Sequence, residues 1–154
     1  DITGGGYIIS QDELEETVWN NTSFNNCGTS ANTAIGTGQT NTDLIIDSDG
    51  ADAKAASYAN DYTNDGYADW FLPSTMELAT AMLSEAVVTN ANINLNANYW
   101  TSTENPTSPF ISAYVCIPDA NYSAISTLTE GKLADTGNII GNTNPINAKA
   151  VREF

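Results

Sequence analysis

The sequence predicts an α+β fold in a single domain spanning residues 1–154. Three observations carry that expectation. Helical signals fill the earlier part of the chain and strand signals the later part, which is the order of an α+β protein and not of a doubly wound parallel sheet. Pro106, Pro109, Pro118 and Pro145 punctuate the late segments. No internal repeat or low-complexity linker divides the chain, and its 154 residues suit one domain. A domain of that size buries about 70% of the surface of its unfolded chain. The expected architecture is two or three early helices packed on a mainly antiparallel sheet.

Each element has a local reason. Residues 7–10 read as a short strand after the turn at Gly4, Gly5 and Gly6. Residues 11–16 are polar and acidic and predict a short turn or helix, followed by Trp19 and a loop rich in Asn, Ser and Gly. A helix is predicted from residue 42, with Asn41 or Thr42 as N-cap. Asp47-Ser48-Asp49-Gly50 interrupts it. Residues 51–62 then give a second helix with Ala55, Ala56 and Ala59 on one face. Asn64-Asp65-Gly66-Tyr67 is a turn leading into Asp69-Trp70-Phe71-Leu72-Pro73. Ser74 and Glu77 have the spacing of a capping box, and Leu78, Met82 and Leu83 continue a helical stripe to about Val88. Residues 99–103, 111–117, 122–128 and 148–154 read as strands. Tyr99 and Trp100 alternate along the first of these, so one should face the core and the other the surface.

Composition narrows function. Lys and Arg total 4 against 19 Asp and Glu, for a formal net charge of -15. Such a surface repels nucleic acid, anionic membrane and sulfated polysaccharide, and attracts divalent cations. Histidine is absent, which removes the usual general base and the commonest zinc ligand, and with them Ser-His-Asp and Cys-His catalysis. No apolar run reaches transmembrane length, so no membrane insertion is expected. Abundant Asn, Thr, Ser, Ala and Gly with scarce Lys point to a secreted surface protein. No signal peptide opens the chain, and its abrupt start at Asp1 reads as a mature product or the tail end of something larger. Cys27 and Cys116 are the two cysteines. A disulfide between them would close a long loop worth roughly 4 kcal/mol; two buried free thiols are the alternative, and spacing does not choose.

Four words of the sequence occur together and in order. They are Ala34-Ile35-Gly36-Thr37-Gly38-Gln39-x-Asn41-Thr42; Asn64-Asp65-Gly66-Tyr67-x-Asp69-Trp70-Phe71-Leu72-Pro73-Ser74-x-x-Glu77-Leu78; Tyr99-Trp100-Thr101-Ser102-Thr103-Glu104; and Ala150-Val151-Arg152-x-Phe154. They span almost the whole chain. This pattern resembles the Lcl C-terminal domain family, the C-terminal domain of bacterial collagen-like adhesins, and is similar to the wider C-type-lectin-like folds. The resemblance implies a C-type-lectin-like domain with an extracellular setting. The chain departs from the family in four respects. Thr101 stands for a Ser, and Lys149 for a common Arg, a small change. The family's first strand, before the Gly-rich turn, has no counterpart, so its partner strand is expected upstream in a longer protein or from a neighbouring chain. The sulfated polysaccharide that the family's namesake recognises conflicts with the charge of -15.

The candidate residues follow. Trp70, Ser74, Glu77, Trp100, Glu104 and Arg152 are expected to be structural, with Arg152 pairing Glu77 or Glu104 to tie the last strand to the capped helix. Asp47, Asp49 and Asp52 have the look of a calcium loop without the bidentate Glu of an EF-hand, and a turn of solvated carboxylates is the competing reading. Asp61, Asn64, Asp65 and Asp69 form a second acidic group. Glu15 and Glu16 are paired carboxylates, read as a solvated acidic face. Asn105, Thr107, Tyr114, Asn121 and Tyr122 combine amides and phenols in late loops and strands, as sugar binding requires. The function expected is non-enzymatic recognition or adhesion at a cell or virion surface. The domain would be the terminal module of an adhesin, appendage or phage fibre that binds glycan or a surface protein. The alternative is a structural subunit of a trimer or filament joined by strand sharing with a neighbouring chain.

Overall fold

The computed structural model describes residues 6–14, 17–20, 25–109, 112–121, 126–131 and 146–154. Among these lie six strands and four α-helices. The strands are β1 (Tyr7–Ile9), β2 (Asn98–Glu104), β3 (Ser112–Ile117), β4 (Ser126–Gly131), β5 (Ile146–Asn147) and β6 (Val151–Glu153). The helices are α1 (Gly38–Asp49), α2 (Lys54–Asp61), α3 (Thr75–Met82) and α4 (Glu85–Asn90), with a 3-10 turn over Gly50–Asp52. The helices do precede the main strands, and the fold is α+β. The strands form two sheets. One has the order β4-β3-β2-β5, antiparallel except for the parallel pair β2 and β5; the other pairs β1 with β6 antiparallel.

Every residue of β2 is buried. The strand runs between two helical layers, so its alternating side chains enter two different cores. Trp100 packs with Trp19, Ile45, Ala55, Ala56 and Ala59 against α1 and α2. Tyr99 packs with Leu78, Met82, Val88 and Cys116 against α3 and α4. The expectation that one of the pair reaches the surface fails for this reason: the sheet is covered on both faces. The polar members of β2 are buried with partners. Ser102 Oγ accepts from Asn41 Nδ2 of α1 at 3.2 Å. Thr101 and Thr75 of α3 share a hydroxyl contact at 3.2 Å.

The segment 69–73 also alternates. Trp70 and Leu72 enter the α1–α2 core and Phe71 the α3–α4 core. Phe71 exchanges main-chain bonds with Val151 at 2.8 and 2.9 Å, extending the β1–β6 sheet, while Pro73 O accepts from Ser102 N at 2.8 Å. This stretch therefore joins the two sheets. Ser74 then starts α3 with the capping box that its spacing predicts.

Several boundaries differ from expectation. Helix α1 begins at Gly38, earlier than residue 42, because its first amides find an acceptor far away in sequence: Glu77 Oε1 accepts from Gly36 N at 2.8 Å and from Gly38 N at 3.4 Å. It continues through Asp47 and Asp49 without the expected interruption. The helix expected to reach Val88 breaks at Ser84, whose extended backbone and side-chain acceptance from Val87 N make it the N-cap of α4. Residues 11–14 form no helix; Leu14 bridges Ala148 instead. The β1 strand already has a partner in β6, at the other end of the chain.

Both cysteines are free thiols, which corrects the disulfide alternative. Cys27 lies in the α1–α2 core and Cys116 in the α3–α4 core, with the sheet between them. Thiol titration should therefore count no reactive group in the native protein and two after denaturation; a disulfide would leave none in either state.

Alkali is expected to unfold the protein. Burial pushes the Cys116 thiol up from 9.0 to about 12. Burial, with the neighbouring Tyr62 next, pushes Tyr58 up from 10.0 to about 12. Burial and the Glu13 carboxylate raise Tyr99 as well. These acids hold their protons longer folded than unfolded, so above pH 9.0 the native state binds more protons and stability falls as pH rises. Burial raises Tyr7 and Tyr62 too, and Lys149, lowered by burial, works in the opposite direction, one group against five. The melting temperature should drop from pH 9.0 towards about 12, and Cys116→Ala should flatten the first part of that fall.

Candidate functional site

The candidate site is an open groove beside β1. Gly6 exchanges both main-chain bonds with Phe154 at 3.1 and 3.0 Å, and Ser10 N donates to Ala150 O at 2.8 Å. The register pairs Ile8 with Arg152 between them. Hydrogen-bonded and non-bonded pairs alternate in an antiparallel ladder, so Tyr7 and Ile9 turn their N–H and C=O groups away from β6. Among the described residues, no hydrogen bond reaches those groups.

Two hollows flank this edge, and both are lined by Tyr7, Ile9 and Val87. The larger, about 380 Å³, adds Ile8, Gln11, Asn64, Asp65, Trp70 and the α4 residue Asn90. The smaller, about 200 Å³, adds Ile35, Ala81, Thr80 and Glu77. Ile8 and Ile35 are large apolar side chains left exposed here, at 44% and 53%. The described lining holds acids and no Lys or Arg. Burial first, then the charges of Glu77 and Glu153, raise the Tyr7 phenol above its ordinary value. The groove is thus an aromatic and aliphatic trough with amide and carboxylate edges.

Arg152 stands beside the groove but its charge is taken. Its Nε and Nη2 donate to Asp69 at 2.7 and 2.9 Å, and its guanidinium lies 3.9 Å over the Tyr67 ring. The expected partners Glu77 and Glu104 are used elsewhere. Both are tied to main-chain amides that only the folded chain brings near. Glu77 Oε2 accepts from Ser74 N at 2.7 Å while Oε1 serves the amides before α1. Glu104, fully buried at the end of β2, accepts from Cys27 N at 2.8 Å and Thr29 N at 3.0 Å.

The three carboxylates Asp47, Asp49 and Asp52 do not converge. Asp47 is exposed on α1, whereas Asp49 is buried and accepts from Asn20 Nδ2 and Asn25 Nδ2, both at 2.8 Å. Asp69 of the second acidic group is occupied by Arg152. Among the described residues no group of three His, Cys, Asp or Glu is placed to hold a metal ion.

The residues expected to bind sugar are also separated. Asn105 and Thr107 lie in the β2–β3 turn, where Asn105 Oδ1 accepts from Thr107 N at 3.0 Å. Asn121 lies past the opposite end of β3, where Asp119 Oδ1 accepts from its amide at 3.1 Å. Successive hairpin turns fall at opposite ends of a strand, so the two turns stand about 17 Å apart. Tyr114 is half-buried between them, on β3. Tyr122, Glu15 and Glu16 lie outside the described residues.

Residues that sequence reasoning left without a role carry much of the scaffold. Trp19 is fully buried and donates from Nε1 to Thr101 O at 2.8 Å. Lys149 is fully buried and donates to the carbonyls of Ser10, Gln11, Asp12 and Ala91 at 2.6 to 3.4 Å, beside Glu13 at 3.6 Å. Its own flanks, Ala148 and Ala150, gave the only sequence signal: a cation between small buried residues.

Comparison with protein-family models, with curated proteins and with solved structures returned no match.

Proposed function

We propose that the chain is a non-enzymatic recognition domain of a cell or virion surface, the terminal module of an adhesin, appendage or phage fibre. Its ligand is a glycan or a surface protein, and its fold is the C-type-lectin-like one implied by the resemblance to the Lcl C-terminal domain family. One observation carries the reading. The buried or partnered charges Glu13, Asp49, Asp69, Glu77, Glu104, Lys149 and Arg152 hold the scaffold together, while the open groove beside β1 keeps an apolar floor and accessible polar edges. That division, with the polar scaffold groups held by one another and the groove left open, suits binding. The Asn- and Thr-rich, Lys-poor composition and the charge of -15 support an exposed extracellular setting.

The test is binding of the labelled domain to a glycan array and to intact cells, with and without calcium. Saturable binding that Asn90→Trp abolishes by filling the groove is the expected result. Binding that survives this variant would move the site elsewhere, and turnover of a bound ligand would overturn the non-enzymatic reading. A second reading, a subunit that assembles by strand sharing, is favoured by the accessible edge of β1. Light scattering separates the two: a monodisperse monomer supports the recognition module, and trimers or filaments support the subunit.

A further inference from the structure

Resting on the reading of the groove as the recognition site, we infer that its occupant is an extended polypeptide segment of a partner protein, carrying both apolar and cationic residues, that adds as a strand to the outer edge of β1. The first argument is the main chain. Tyr7 and Ile9 present two N–H and two C=O groups outward, in the spacing that an added strand uses. The second argument is the pair of hollows that flank the edge. They share Tyr7, Ile9 and Val87, and their linings mix apolar side chains such as Ile8, Ile35 and Trp70 with the acids Asp65 and Glu77. Successive side chains of an added strand point in alternate directions, and a segment that carries both apolar and cationic residues matches that mixed lining.

Charge chooses between a foreign strand and a second copy. The described lining holds Asp65 and Glu77 and no cation, and Arg152 is neutralised by Asp69. A second copy would bring another -15 with 4 Lys and Arg in its whole length. Of these, Lys149 is buried, Arg152 is paired with Asp69, Lys54 lies on α2 and Lys132 lies outside the described residues, and no segment of the sequence alternates cations with apolar residues. A cationic partner strand gains from the same field that repels a second copy.

The probe is a blocked synthetic peptide of sequence Lys-Val-Lys-Val-Lys-Val-Lys. Its controls are the same peptide N-methylated at alternate residues on either edge, and a peptide with every Lys replaced by Glu. Binding is read by calorimetry and by hydrogen exchange at individual amides. The Lys-Val peptide should slow exchange at Tyr7 and Ile9. N-methylation of the bonding edge should weaken it at least about tenfold, through loss of ladder hydrogen bonds. The Glu peptide should not bind, and Asn90→Trp should abolish binding while leaving the melting temperature unchanged. Equal binding of both N-methylated peptides, or protection that misses Tyr7 and Ile9, would overturn strand addition and leave unspecific attraction to an acidic surface. If the peptide fails while a glycan or cell surface still binds in a manner blocked by Asn90→Trp, this inference fails and the recognition reading stands. If neither ligand is blocked, both fail. Self-association through β1 would overturn the choice of a foreign strand.

Discussion

Replacing Lys149 with methionine is expected to cost about 3–5 kcal/mol, the range for breaking a buried ion pair by removing one partner. The ammonium is fully buried and gathers four carbonyls from two places: Ser10, Gln11 and Asp12 after β1, and Ala91 after α4. Burial alone lowers its pKa, and Glu13 acts to restore it. Methionine fills similar volume but donates nothing, so those carbonyls lose their donor and Glu13 keeps a charge with Tyr99 and Asn147 as its remaining donors. Urea unfolding should show a lower midpoint with an unchanged slope. Glu13→Gln should be less harmful in the Lys149→Met background than alone, which is the signature of a coupled pair. Arginine is not a conservative replacement here. Four carbonyls converging on one point suit a compact ammonium, and a planar guanidinium would have to push them apart, at about 1–3 kcal/mol. The small change suggested by family resemblance becomes a substantial one in this pocket.

Glu77→Ala should cost about 3 kcal/mol, the sum of a lost N-cap and of buried amides left without an acceptor. One carboxylate closes the capping box of α3 and serves the amides of Gly36 and Gly38 at the start of α1. An anion at both helix N-termini is favourable to both dipoles. Gly38 is small for the same reason. A Cβ there would overlap the Glu77 carboxylate and the Phe71 ring. Gly38→Ala should therefore destabilise the wild type and be milder in Glu77→Ala, where half of the obstruction is gone. Additive losses in chemical denaturation would show that the carboxylate does not join the two helices.

Those two residues show what could be read from the chain. Ser74 and Glu77 are three positions apart, so their capping box is a local event and visible in sequence. The second job of the Glu77 side chain crosses 41 positions to Gly36 and has no local trace. The α2 alanines showed their face by period, and the strand period of β3 was equally plain. Arg152 is different: Asp69, Glu77 and Glu104 are all acids of the recognised words, and choosing among them needs coordinates. Trp19 stood in an Asn- and Ser-rich loop with no periodic neighbours, so nothing local marked it as core. The amides and phenols of Asn105, Thr107, Tyr114 and Asn121 looked like one site because sequence ignores which end of a strand a turn occupies. The groove beside β1 is built from Tyr7, Asn64, Glu77 and Val87, four distant places, and no spacing rule joins them.

By itself, the sequence determined the class of fold, the order of helices before strands, the capped start of α3 and the absence of histidine chemistry. These follow from period, turn chemistry and composition, which act over a few residues or over the whole chain at once. Tertiary structure decided which acid neutralises Arg152, where Lys149 is held, why Tyr99 and Trp100 are both buried, and where an open strand edge meets a groove. Each of these depends on segments dozens of residues apart being packed together, and burial converts such encounters into fixed partners because an unpaired polar group in the core is costly.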